Sequence, residues 1–113
     1  MRGAPNPRAT FQMTPHEPAA NTAAIVTLAA RAGERRVISQ IDYSLSGTIA
    51  SAPALTITGL HGGTYSIVVP AAVAVNQLRF SQPLVGLVNT AVVVTLAAAG
   101  ASAIGKINVV HDV

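Results

Sequence analysis

Residues 43–105 carry one formally charged side chain, Arg79, and are otherwise written mostly in alanine, valine, threonine, leucine, isoleucine and glycine. Chains remain unfolded when hydrophobicity is low and charge is high, so this stretch is not a disordered one. A membrane-spanning helix is the next reading to test. Phe80 to Gly105 is uncharged and exceeds the ~20 residues that a span requires. Gln82, Pro83, Asn89 and Thr90 interrupt it, however, and Gly86, Gly100 and Gly105 are scattered through it. Clusters such as Val92-Val93-Val94-Thr95 lose side-chain freedom in a helix and fit a pleated surface. The stretch therefore reads as β-structure.

From Asn21 onward, short apolar runs separated by Gly, Ser, Asn and Pro predict strands near 22–30, 36–46, 54–59, 64–70, 77–82, 89–98 and 103–111. In the second run Val37, Ile41, Tyr43 and Leu45 share one face. Gln40, Asp42 and Ser44 share the other with Ile38, the period-two pattern of a half-buried strand. The glycine-rich Gly59-Leu60-His61-Gly62-Gly63 reads as a turn, and Pro70-Ala71-Ala72-Val73-Ala74-Val75 as a single helical turn at most. The expected fold is all-β, an antiparallel sandwich or jelly-roll-like body of seven or eight strands.

Residues 1–20 differ in texture. Pro5, Pro7, Pro15 and Pro18 fix φ and push their predecessors toward extended geometry. Phe11 and Met13 alternate with Thr10, Gln12 and Thr14, the spacing of one short extended stretch. The segment is expected to be an extended arm on a sandwich domain of residues 21–113. With no apolar h-region before Glu17, it does not read as a signal peptide.

One internal echo is present. Asn21-Thr22-Ala23-Ala24-Ile25-Val26-Thr27-Leu28-Ala29-Ala30 returns as Asn89-Thr90-Ala91-Val92-Val93-Val94-Thr95-Leu96-Ala97-Ala98, with eight of ten positions identical. Each copy precedes a small turn and another apolar strand. The pattern predicts two equivalent strand–turn–strand units at corresponding places in two sheets; chance reuse of common strand residues is the alternative.

Composition bounds the chemistry. A chain of 113 residues suits one compact domain. Twenty-one alanines and fourteen valines against 4% aromatics imply thin, closely approaching layers. Cysteine is absent, which removes disulfides and thiolate metal sites. The acidic side chains are Glu17, Glu34, Asp42 and Asp112, of which Asp42 alone falls inside an expected strand, facing solvent or an arginine. No pair of them is placed to share a hydrolytic cleft. His16, His61 and His111 lack metal-ligand spacing, and His61 is read as a solvated loop group. No serine stands in a nucleophile elbow, and no glycine pattern opens a phosphate-binding helix. The net charge of +3 is too dispersed for nucleic acid. The chain is expected not to be an enzyme and to need no cofactor or metal.

Soluble monomers normally carry about 25% charged residues, whereas this chain has 10%. Interface centres are depleted in Lys, Asp and Glu, so part of the charge-poor surface is expected to be covered in a symmetric homo-oligomer. Five of the seven cations, Arg2, Arg8, Arg31, Arg35 and Arg36, precede residue 37. Two further runs bear on identity: Val94-Thr95-Leu96-Ala97-Ala98-Ala99-Gly100 leading to Gly105-Lys106-Ile107-Asn108-Val109, and Ile41-Asp42-Tyr43-Ser44-Leu45-Ser46-Gly47. Across residues 22–110 they resemble small virion structural proteins of tailed bacteriophages. That resemblance implies a β-sandwich decorating or cementing a capsid in the virion, assembled in the host cytoplasm. It also implies an arm lying on a neighbouring subunit, with the major capsid protein or another virion protein as partner, and no catalytic residues; by analogy with other viral β-sandwich assemblies, a trimer is the first expectation for the oligomer. Arg2, Arg8, Phe11, Met13, Arg35 and Arg36 are the expected docking residues, and neither nucleic acid nor membrane is an expected partner. A receptor- or carbohydrate-recognition module of a virion fibre or tail is the alternative.

Overall fold

The computed structural model describes residues 11–112. Eight strands follow in chain order: β1 Phe11–His16, β2 Ala24–Leu28, β3 Val37–Thr48, β4 Ala54–Thr58, β5 Tyr65–Val68, β6 Ala74–Val85, β7 Val92–Leu96 and β8 Ser102–Asp112. They form two four-stranded antiparallel sheets, ordered β1-β8-β3-β6 and β2-β7-β4-β5. Pairing is nested: β1 with β8, β2 with β7, β3 with β6 and β4 with β5. The chain is thus one long hairpin, bent at β4–β5 and rolled so that successive pairs alternate between sheets. This is a jelly roll, as the sequence led us to expect.

The core lies between the sheets and follows the pleat. Val26 and Leu28 of β2, Leu55 and Ile57 of β4, and Val92, Val94 and Leu96 of β7 point inward from one sheet. Ile41, Tyr43 and Leu45 of β3 and Ile107 and Val109 of β8 meet them from the other. Small residues let the layers close: Ala24 and Ala103 are buried, and the Cβ that Gly105 lacks would press on Leu96. Gly47 and Gly59 adopt positive φ of 85° and 86°. A Cβ at either would collide with a backbone carbonyl, of Ser102 and Ala91 respectively.

The alternation expected for β3 is broken at one point. The register shifts between Ile38 and Gln40 against both neighbouring strands, leaving Ser39 as the extra residue of a bulge against β8. The bulge changes parity, so Ile38 is buried on the side of Ile41 rather than grouped with Gln40 and Asp42. On the β6 side the same shift loops out Phe80–Pro83, where the missing N–H of Pro83 leaves no ladder bond unmade. Before β6, residues 71–73 form a bend and not a helical turn.

The echoed decapeptides lie side by side in a single sheet, not in two. β2 and β7 are antiparallel neighbours with Val26 opposite Val94. The likeness extends to the backbone, because Asn21 and Asn89 are the two non-glycine residues with positive φ, both at 59° among the described residues. Each copy then crosses to the other sheet, where the following strands, β3 and β8, also pair antiparallel. A local pseudo-twofold therefore relates residues 21–48 to residues 89–112, passing between β3 and β8 at the centre of one sheet and between β2 and β7 at the edge of the other.

Candidate functional site

The arm expected over residues 1–20 is partly sheet. Residues 11–16 form β1, paired with β8 from Phe11 opposite Asp112 to His16 opposite Ile107. Residues 1–10, with Arg2 and Arg8, lie outside the described residues. Phe11 and Met13 point away from the core and are 42% and 57% exposed, so both are available to a partner. Arg35 is also at the surface, donating to the Gly86 carbonyl oxygen at 3.0 Å.

Unlike Phe11, Met13 and Arg35, Arg36 is buried by the fold, at 5% exposure. Its Nε donates to Asp112 Oδ1 at 3.2 Å, and its Nη1 donates to the Ala29 carbonyl at 2.8 Å. Asp112 also accepts from the Val37 N–H at 3.1 Å and from Arg31 Nη1 at 3.2 Å. Beside this pair the His111 ring is 2% exposed. Its Nδ1 lies 2.6 Å from the Asp112 carbonyl oxygen and 3.4 Å from Arg36 Nη2. Its Nε2 lies 2.7 Å from the Thr14 hydroxyl, tying β8 to β1. The cluster is an internal fastening, because these donors and acceptors are engaged within the chain. The inward parity of Ile107, Val109 and His111 was available in the sequence; the convergence of Arg36 on Asp112 across 76 positions was not.

Asp42 faces outward from β3 and accepts from Gln40 Nε2 at 2.7 Å, rather than meeting an arginine. Arg79 lies exposed on the same sheet's outer face, 3.3 Å from the Gln77 side-chain oxygen. Together with Lys106, these groups put charge on that face, beside the exposed apolar side chains of Phe11, Met13 and Val75.

The outer face of the second sheet is unlike it. Register aligns Ile25, Thr95, Thr56 and Ser66 in one row across all four strands. Thr27, Val93 and Thr58 form the next row, and Ala54 and Val68 close the face. None of these side chains is charged. Ile25 and Val68 are 45% and 71% exposed. The loss of charge seen in the sequence is therefore concentrated on one flat face, not spread evenly.

A cleft of about 410 Å³ opens where the β4–β5 turn meets the end of β6. His61, Thr64 and Tyr65 line one side, and Pro83, Leu84 and Val85 the other. Tyr65 is held edge-on against Phe80, with ring centroids 5.9 Å apart and planes at 84°. His61 is exposed at its rim, as expected for a loop histidine, while its backbone N–H donates to the Val85 carbonyl. No group of three His, Cys, Asp or Glu side chains suited to a metal occurs among the described residues. No helix among them is long and apolar enough to cross a membrane.

No protein-family model and no curated relative matches the chain. Among solved structures it is similar to the family 32 carbohydrate-binding module of NanJ from C. perfringens, determined with galactose. The identity is 14% and the TM-score 0.44, over 92% of this chain and 96% of that one. A family two carbohydrate esterase from Cellvibrio japonicus aligns at 8% identity and TM-score 0.39, over 90% of this chain and 34% of the other. A Bacillus endospore appendage protein, described as forming disulfide-linked pili, aligns at 15% identity and TM-score 0.33, over 99% and 96%.

Proposed function

We propose that this chain is a non-enzymatic structural subunit of a virion, a capsid decoration or cement protein working as a symmetric homo-oligomer. The observation that carries this reading is the uncharged outer face of the β2-β7-β4-β5 sheet. Solvent-facing sheets of free monomers are usually guarded by charged side chains. Here Thr56 stands at the centre of a face with none, while the opposite sheet keeps Asp42, Arg79 and Lys106. The rigid β-body with Phe11 and Met13 exposed on its edge strand supports attachment to a larger particle. Eight-stranded jelly rolls also serve in viral capsid and lectin domains, an analogy of architecture that favours neither use. A trimer remains the oligomer we propose, with the major capsid protein or another virion protein as partner. The test is cosedimentation with preformed capsid shells: retention at a fixed number of copies per shell is expected, and complete loss on washing contradicts the reading.

The cleft favours a second reading, recognition of a carbohydrate. Tyr65 offers a ring wall and His61 and Thr64 offer hydrogen-bonding groups, the combination of aromatic surface and few polar contacts that small ligand sites use. Binding on a glycan array that disappears in Tyr65→Ala would establish it; a blank array would remove it.

A further inference from the structure

β1 is fastened at its edge but contributes nothing to the buried core. Its six residues are exposed or half-buried, whereas β2, on the sheet opposite, buries every second side chain. It is held by the backbone ladder to β8, by Thr14 on His111 Nε2, and by the Ile25 N–H donating to His16 Nδ1 at 2.9 Å. Just beyond its end, Glu17 lies 3.5 Å from Lys106. Apart from the ladder, these are single polar contacts at the surface or at its boundary. The groups that receive β1 belong to β8 and β2: the free edge of β8, the buried His111 ring, Lys106 and the Ile25 N–H. None of them belongs to β1 or its connector, so the seat offers the same chemistry to the β1 sequence of any copy.

The connector to β2 permits that departure. Residues 17–23 make no strand pairing, and they turn at Asn21, held at φ 59° with its N–H on the Ala103 carbonyl. Straightened at about 3.3 Å per residue, seven residues reach about 23 Å, enough to carry β1 off its own body to an adjoining one. Straightening also releases Asn21 from the left-handed region. At high dilution the strand's own seat wins, because the effective concentration of a tethered segment is in the millimolar range. In an array of touching copies, a neighbour's seat is present at comparable concentration and has the same chemistry.

From these features we propose that β1 is an exchangeable strand: in the assembled state, β1 of one copy pairs with β8 of the next, occupying the seat it fills within its own chain in the isolated molecule. The occupant of the β8 edge is a second copy of this chain, and the exchanged element is identical, so little new interaction energy is required. The inference rests on the assembly reading above, and adds which strand links the copies.

Met13 and Val110 face each other across the β1–β8 ladder on the outer side of the sheet, and the chain has no cysteine of its own. Met13→Cys protein is mixed with Val110→Cys protein at assembly concentration and oxidised. Heterodisulfide dimers are identified by mass. The comparison is the same mixture made with Thr58→Cys, exposed on the other sheet. Exchange predicts a shift of the product from monomer to the 13–110 heterodimer, well above the Thr58→Cys mixture. Equal yields in the two mixtures, or no 13–110 product, overturn the proposal. Light scattering on the unmodified chain separates the two failures. Oligomers without the 13–110 link refute strand exchange alone, whereas a monomer at every concentration refutes the assembly reading beneath it.

Discussion

Arg36 and Asp112 illustrate how a basic-looking sequence segment can be structural. In the sequence Arg35 and Arg36 are adjacent cations in a turn. In the fold their parity separates them, leaving Arg35 at the surface and drawing Arg36 between the sheets onto Asp112. Removing Arg36 takes one of several partners from Asp112, which keeps Arg31 and the Val37 N–H, and leaves the Ala29 carbonyl without its donor, a loss of about 2 kcal/mol. Arg36→Ala should therefore lower the unfolding free energy obtained from a urea titration by that amount, and Arg36→Met by less, because a long side chain still packs there. Equal stability of Arg36→Ala and the parent would show that the pair contributes nothing. Gly47 makes a separate residue-scale case. Its φ of 85° and the Ser102 carbonyl against its missing Cβ predict a loss of about 2 kcal/mol or more for Gly47→Ala. Gly33 has positive φ but nothing near its Cβ position, so Gly33→Ala should cost less in the same urea titration.

At the scale of elements, most strands were legible because side-chain period and β-branching agree. Runs such as Leu55-Thr56-Ile57-Thr58 and Val92-Val93-Val94-Thr95 admit one pleated reading. β3 was legible except for the bulge at Ser39, since a one-residue shift inverts parity and no residue type announces it. β1 was legible as extended chain but not as part of the sheet. Its partner β8 lies at the other end of the sequence, and Pro15 weakens any strand signal. Of the expected docking residues, Phe11, Met13 and Arg35 do lie at the surface; the burial of Arg36 depended on a partner far along the chain. The ladder gives a prediction at this scale. Deleting residues 2–10 should leave the melting temperature unchanged, because none of the eight described strands is touched. Deleting residues 2–16 should lower it and promote aggregation by uncovering the edge of β8. If the longer deletion melts and remains in solution like the parent, β1 adds nothing to the body.

For the whole molecule, rolling a nested hairpin into two sheets divides the sequence's uneven chemistry between two outer faces. One keeps Asp42, Arg79 and Lys106; the other shows rows of threonine, serine and small apolar side chains. A flat uncharged face is a modest contact when used once. Repeated across many identical copies, such contacts add by multivalency without any single large interface. That distribution is why assembly accounts for this chain better than isolated action does. Native mass spectrometry over a micromolar concentration series, on the parent and on Thr56→Lys, tests this most directly. The parent should form discrete oligomers, and placing a charge at the centre of the face should shift it to monomer. A parent that stays monomeric throughout, or a Thr56→Lys variant that assembles equally well, would contradict it.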